Sequence, residues 1–375
     1  IPLGILLNLI LIPWVTLVAL PAAFLTALYV PGAAAVFVFA VSVWDFLLHS
    51  FDRLWTLFVV LNPVQAVLVM LCCGAGLVFR FNALHWALLA VVTVLLHWHN
   101  GQPPKLLDDE FDLWVLDTGQ AQSVVIETAA GRVLYDTGFG DPATVNLQQA
   151  PLRWHWRWPG GQPWHAVILS HNDADHAGGL ASVALAITPK HVFTGQPPIH
   201  PPELWPSAQF CDQGAGFTLA NVAFEFKRPV AGYMPVSSND ASCVLSVRSA
   251  SGSVLILGDA GKRVEYALLQ NRRLQPVDLL MSGHHGSDTS TSFALLEALG
   301  PRWVVHSAAA WRLPERPDPR VVSRVQAVGA VNHCTCWSGA LRYQFRRNEI
   351  IQMTYGNRLL PWLKIGPRAH PVNDS

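Results

Sequence analysis

Four formal charges, Asp45, Asp52, Arg53 and Arg80, are all that the first hundred residues carry. The rest of that stretch is divided into uncharged runs at Ile5–Val30, Gly32–Trp44, Leu54–Val78 and Ala83–Trp98, with Pro31 between the first two. The first and third exceed the roughly 20 residues that an α-helix needs to cross about 30 Å of hydrocarbon, and the second and fourth are marginal. Three or four membrane segments are therefore expected. Pro13, Pro21 and Pro63 lie inside these runs, where neighbouring helices in a bundle can satisfy the freed carbonyls. The competing reading is a set of buried helices in a large soluble core. A secretory signal peptide does not fit, because the start is not basic and the apolar pattern recurs instead of ending in a cleavage site. Arg53 and Arg80 lie at opposite ends of one span and nearly cancel under the positive-inside rule. His97 and His99 flank Trp98 and read as interfacial residues.

Beyond residue 100 the character changes. Residues 1–104 are expected to form a transmembrane domain and residues 105–375 a second domain holding nearly all the remaining charge. With 25 basic and 25 acidic residues the net charge is zero. A global basic field for nucleic acid is thereby excluded, and any such binding must come from a local patch. The chain begins at Ile1 inside an apolar run, so it is expected to be a piece of a longer polypeptide. Short β-rich runs follow at 111–117, 123–128, 132–136 and 164–170, with further strands expected at 221–226, 242–248, 253–257, 277–281 and 302–306. Helices are expected at 177–187, 262–271, 291–299 and 318–328. Strands first and then alternating strands and helices point to two sheets packed face to face with helices outside.

The run WHAVILS (164–170) ends in HNDADH, which places His171, Asp173, Asp175 and His176 at positions one, three, five and six of a loop after a strand. Rigid strands aim the loops beyond them, so chemistry concentrates there. Such spacing lets a loop converge carboxylates and imidazoles on adjacent ions, which a helix could not do. The plainer alternative is a polar turn in which Asp173 or Asp175 caps the next helix.

HNDADHAGG resembles the HxHxDH signature of the metallo-β-lactamase superfamily, with Asp173 where the second histidine is expected. NDAS (239–242), LILGDAG (255–261) and MSGHHGSDTS (281–290) follow in the order of that superfamily. Together with LDTGQ (116–120) and LYDTGFG (134–140), the set is similar to the C-terminal domain of the ComEC family of competence proteins, polytopic DNA-uptake channels. The resemblance implies an α/β fold, an αββα metallo-β-lactamase-like sandwich preceded by transmembrane α-helices. It also implies two divalent metal ions, manganese or zinc and in the third place magnesium. His171 and Asp173 would hold one ion, Asp175 and His176 the other, and Asp259 would bridge them, with Asp175 and Asp259 the catalytic carboxylates. His284 or His285 would complete the second site. A binuclear centre of this kind activates water near neutral pH and stabilises charge on a phosphoryl oxygen. The implied function is inner-membrane DNA uptake, with the metal-dependent domain degrading or guiding the strand that is not imported. The implied partners are single-stranded DNA, membrane lipid, other competence proteins and a second copy of the chain; the implied location of the domain is periplasmic. Two alternatives stand beside this reading: a degenerate DNA-guiding module, and a membrane-tethered hydrolase of small esters.

The departures from the pattern are specific. A histidine expected some twenty residues before Asp259 is missing, and Asp240 is nearest to its place as ligand, supporting group or simple turn acid. Carboxylate in place of imidazole hardens the site and favours manganese or magnesium over zinc. Gln122 stands where an acid is usual, and 308–319 reads AAAWRLPERPDP where a different substrate loop is expected. Ser287 and Thr289 are the hydroxylic candidates for substrate contact. In WHWRW (154–158), Arg157 is the cationic one and the tryptophans are candidates for base stacking, against the plainer reading of an aromatic loop covering a sheet. Of six cysteines, Cys72 and Cys73 lie in an apolar run, while Cys334 and Cys336 read as small packing residues on one face of a strand. The redox compartment is left open.

Overall fold

The structure, a computed structural model, describes residues 13–43, 106–139, 163–196, 208–211, 216–229, 233–270, 274–309, 316–355 and 368–370. By its contacts the chain divides into Ile1–Gln102 and Pro103–Ser375. In the first unit a π-helical stretch, Val15–Ala19, runs into the helix Leu20–Ala27, and residues 33–43 are again helical. Ala22, Ala33 and Ala40 are buried, whereas Leu17, Leu20, Phe24, Val38 and Phe39 are exposed. Trp14 Nε1 donates to Ala40 O at 3.1 Å, so the two helices meet. Among the described residues no helix is long and apolar enough to cross a membrane. The apolar runs 54–78 and 83–98 lie outside the described residues, as do residues 1–12, His97 and His99.

The second unit is built on sixteen described strands. In chain order they are β1 (Phe111–Val115), β2 (Val124–Thr128), β3 (Arg132–Tyr135), β4 (Trp164–Leu169), β5 (His191–Thr194), β6 (Gln209–Phe210), β7 (Phe217–Leu219) and β8 (Val222–Lys227). They continue as β9 (Val244–Ser249), β10 (Gly252–Ile256), β11 (Leu279–Met281), β12 (Trp303–His306), β13 (Val331–Cys334), β14 (Ala340–Arg346), β15 (Glu349–Tyr355) and β16 (Arg368–His370). One sheet has the order β16-β15-β14-β1-β2-β3-β4-β5-β6 and the other β13-β12-β11-β10-β9-β8-β7. Both follow one plan: pairing is antiparallel up to β3 in the first sheet and β10 in the second, and parallel from there to β6 and β13.

Strand alternation sorts the side chains into three layers. Leu113, Val115, Ile126 and Tyr135 of the first sheet meet Val254, Ile256, Leu279 and Met281 of the second in the central core. Their neighbours Trp114, Leu116, Val125 and Leu134 face outward onto Leu180, Val183 and Ile187 at the helix Leu180–Ala186. On the opposite face Leu255, Leu257, Leu280 and Val304 pack against Val264, Leu268, Leu295, Leu299, Val321 and Val325. These come from the helices Lys262–Gln270, Phe293–Leu299 and Pro319–Ala327. A one-residue slip in any strand would exchange the layers, which fixes the register. The result is the expected α/β sandwich.

Two features correct the sequence reading. β5, β7 and β14–β16 were not anticipated; β14 and β15 form a hairpin that extends the first sheet beyond β1. Cys334 and Cys336 do not share a strand face, because the chain turns into the short helix Thr335–Ser338 and brings their Cα atoms to 5.0 Å, where they form a disulfide. Cys211 and Cys243 form a second one.

Candidate metal centre

The parallel strands of both sheets deliver their C-terminal ends to one rim, the place where α/β sheets form binding crevices. His171 follows β4, Asp259 follows β10, and His284 and His285 follow β11. After β4 the loop enters the short helix Ala174–Ala177 with Asp173 at its boundary, but Asp173 makes no side-chain cap bond. Its Oδ2 lies 3.4 Å from His171 Nε2 and accepts from Ser238 Oγ at 3.3 Å. Asp175 Oδ2 lies 3.3 Å from His285 Nε2. The plainer alternative, a helix-capping turn, is therefore not what these carboxylates do.

The tandem histidines are sorted by backbone. His284 and His285 both adopt left-handed conformations, φ 48° and 55°, at a cost of roughly 1–2 kcal/mol each. Gly286 continues the turn at φ 78°, and a Cβ there would lie 2.7 Å from Pro317 Cβ and 2.8 Å from His306 Nδ1. The turn sends His285 inward, with Nε2 3.2 Å from His176 Nε2 and 3.7 Å from Asp259 Oδ1. His284 stays partly exposed, bonded to Thr289 Oγ1 at 3.0 Å and 3.8 Å from Asp259 Oδ2.

Hydrogen-bond partners settle which nitrogens are free. His176 Nδ1 faces Asp136 Oδ2 at 2.7 Å, and His285 Nδ1 faces Ser307 O at 2.7 Å. A carboxylate and a carbonyl only accept, so both Nδ1 atoms donate. In the neutral rings the two Nε2 lone pairs then point at each other, an arrangement that needs positive charge beside it. His171 Nε2 is buried without a hydrogen-bond partner, and the buried Asp259 Oδ1 has beside it only His176 Nε2 at 3.0 Å and His285 Nε2 at 3.7 Å. Buried polar atoms of this kind are rare unless something else satisfies them. Burial disfavours charge on His176, yet Asp259 and Asp136 raise its pKa well above the ordinary value. Burial likewise opposes ionisation of Asp259, but His176 and His285 hold its carboxyl far below the usual range. Without a cation, a proton on His176 supplies the positive charge that the carboxylates demand. Two sets of ligand atoms lie within 4.8 Å of one another: His171, His176 and Asp259, and Asp175, His176 and His285. The donor set fits divalent cations.

The sequence matches the family model for the metallo-β-lactamase superfamily over residues 116–306. The chain belongs to the metallo-β-lactamase superfamily. Membership implies a divalent-metal site, and the imidazole and carboxylate groups just described could hold one. It is 30% identical to Competence protein ComA of Neisseria gonorrhoeae over 354 residues, covering 92% of this chain and 48% of that protein. It is 28% identical to Recombination protein 2 of Haemophilus influenzae, covering 76% of this chain and 34% of that one. Uncharacterized protein YcaI of Escherichia coli is 34% identical, covering 67% of this chain and 32% of its own length. The chain thus spans about a third to a half of the length of these relatives.

Among the superfamily positions read from sequence, His171, Asp175, His176, Asp259 and His285 are brought together, with Asp173 at the solvent side. His284 stands outside both sets. Asp240 is not joined to them: in the turn Asn239–Ala241 its carboxylate accepts from Val236 N at 3.3 Å and lies 3.9 Å from Arg263, holding its own loop. Ser287 is buried and accepts from Thr289 Oγ1, so of the two hydroxyls Thr289 lies nearer the surface, beside His284. Arg157 lies outside the described residues. Three groups had no assigned role in the sequence reading: Asp136, Ser170 and Ser307. Asp136 stood within the quoted LYDTGFG, and its partner could not be read because His176 lies 40 residues away.

Proposed function

We propose that this chain is a segment of an inner-membrane DNA-uptake protein whose metallo-β-lactamase domain, residues 105–375, hydrolyses phosphodiester bonds of the strand that is not imported. The observation that carries the reading is the convergence of His171, His176, His285, Asp175 and Asp259 at the common rim of both sheets, in a chain whose relatives over most of its length include a competence protein and a recombination protein. In this reading His171 and Asp173 would hold one ion and Asp175 and His285 the other, with His176 and Asp259 available to complete them. A divalent pair there supplies a water of lowered pKa and neutralises charge developing on a phosphoryl oxygen. Manganese or magnesium is favoured over zinc by the carboxylate-rich donors. Asp136 and Ser307 hold His176 and His285 in the tautomer that presents Nε2. His284 and Thr289 line the side where the scissile phosphate enters.

Two further observations support the cellular setting. The first unit buries alanines and exposes Leu, Val and Phe, as helices do when lipid is the solvent and small residues make the interface. Two disulfides in the second unit suit an oxidising compartment such as the periplasm. Single-stranded DNA, membrane lipid and the other uptake proteins are the partners.

A second reading, a guiding module without turnover, draws on Gln122, which stands where an acid is usual and is buried with Nε2 unpartnered. An uptake assay separates the two. A strain lacking the gene should lose transformation. One carrying Asp175→Ala with His285→Ala should import DNA but leave the displaced strand undegraded. Degradation at the wild-type rate in that strain would favour guiding, and unaltered transformation in the deletion strain would remove both readings.

A further inference from the structure

Ser170 is buried completely and closes a chain of polar contacts at the foot of the site. Its backbone N–H donates to Asp136 Oδ1 at 2.7 Å, and its hydroxyl donates to Asp136 Oδ2 at 2.9 Å. The same hydroxyl lies 3.0 Å from His171 Nδ1 and 3.3 Å from His176 Nδ1. Asp136 Oδ2 also receives His176 Nδ1–H at 2.7 Å. The hydroxyl's proton decides the tautomer of His171. A serine hydroxyl has a single proton, and the geometry directs it to Asp136 Oδ2, which can only accept. Toward His171 the oxygen can therefore only accept, which requires the proton of the neutral ring to sit on Nδ1. The Nε2 of His171 is left with its lone pair, and this is the buried atom that lacks a hydrogen-bond partner.

We infer that Ser170 is a positioning residue: it relays the charge of Asp136 to His171, so that one carboxylate fixes the metal-binding tautomer of two histidines, His176 directly and His171 through the hydroxyl. The inference rests on the metal reading above and deepens it. Packing holds the relay in place. A Cβ at Gly258 would come within 2.9 Å of Ser170 Cβ and 3.0 Å of Tyr135 Oη, so glycine is needed there, and the residue also has φ 58°. Ser170 O receives Cys243 N–H at 3.1 Å, which ties the strand end to the disulfide-bonded segment opposite. These contacts fix the backbone and Cβ from which the serine hydroxyl reaches its acceptor.

The test uses the full chain and Ser170→Ala, which removes the oxygen and introduces no bulk. Nitrogen-15 histidine spectra of the metal-free proteins read the tautomer, and manganese titration reads each ion's affinity. The relay requires His171 to carry its proton on Nδ1 in the wild type and to become a mixture of tautomers in Ser170→Ala. It also requires that variant to lose one ion about 10–100-fold in affinity, the usual cost of losing such an outer partner, while the second ion and the protonation of the His176 ring are unchanged. A wild-type His171 protonated on Nε2 would overturn the inference, as would a variant with the wild-type tautomer. If the wild type binds no manganese but shows the expected tautomers, the metal reading fails and the relay stands. The wild-type spectrum alone decides the tautomer even if Ser170→Ala does not fold.

Discussion

Asp173 is the residue that most sets this site apart, because it replaces an imidazole by a carboxylate and its side chain is 45% exposed. The neighbouring His171 imidazole, 3.4 Å away, lowers its pKa against the opposing effect of burial, so it is an anion at neutral pH. Asp173→His restores the commoner signature, and a softer donor set should shift metal preference from manganese toward zinc. Metal content after purification in equimolar manganese and zinc checks this; an unchanged ratio would show that Asp173 does not touch an ion. A second residue-scale prediction concerns His306, at the end of β12. It is fully buried between Ser282 Oγ at 2.8 Å and Asn332 Oδ1 at 3.0 Å, and burial lowers its pKa to about 4. A base with a depressed folded pKa contributes its full stability above the unfolded value of about 6.5 and loses it as pH falls toward 4. The loss should approach about 3 kcal/mol, as a shift of some 2.5 units implies. Denaturation midpoints at pH 7.5 and pH 4.5 for wild type and His306→Gln measure it, the variant having the smaller slope. At this scale the sequence was legible in residue type but not in direction. HNDADH announced a metal site, yet the choice between His284 and His285 depends on a left-handed turn, and the roles of Asp136 and Ser170 depend on contacts across the sheet.

Elements were legible where one face or both are apolar. The runs before HNDADH, GDAG and GHHG stand out because β4, β10 and β11 are buried on both sides, and parallel strands of that kind read as continuous hydrophobic stretches. The hairpin β14–β15 escaped because its strands carry polar residues between the apolar ones: Leu341, Tyr343 and Phe345 point inward, while Arg342 and Arg346 alternate with them. Those arginines have a purpose at the level of the element. Asp112 on β1 is almost wholly buried and pairs with Arg342 and, at 2.8 Å, with Arg346. Removing the acid takes the shared carboxylate from between two guanidinium groups in a partly dry seam, with Glu110 still 3.9 Å from Arg346, and Asp112→Ala should cost about 3 kcal/mol. Urea unfolding followed by tryptophan fluorescence checks the value, and a loss under about 0.5 kcal/mol, the range of ordinary surface substitutions, would show that the hairpin is held by Leu341, Tyr343 and Phe345 alone.

On the scale of the whole molecule, the charge-poor first hundred residues and the charged remainder read as two domains, and the reading of the second as an α/β sandwich followed from its strand order. The disulfides were not legible, because Cys211 and Cys243 are 32 residues apart and the pair in HCTCW meets only after a turn into a helix. In a chain matured in an oxidising compartment, Cys211, Cys243, Cys334 and Cys336 should react with a maleimide only after reduction. Mass-spectrometric mapping of the label decides it, and labelling without reductant would argue for a reducing compartment. The central claim is that the rim where both sheets end is a metal-dependent phosphodiesterase site, and cleavage of labelled single-stranded DNA by the full chain tests it most directly. Asp175→Ala removes a carboxylate that lies against His285 and leaves both sheets untouched. The wild type should cleave with manganese, lose activity on chelation and recover it when manganese is restored, while Asp175→Ala should fall by at least about a hundredfold with its fold intact. Cleavage that survives chelation, or an Asp175→Ala protein as active as the wild type, would contradict the account.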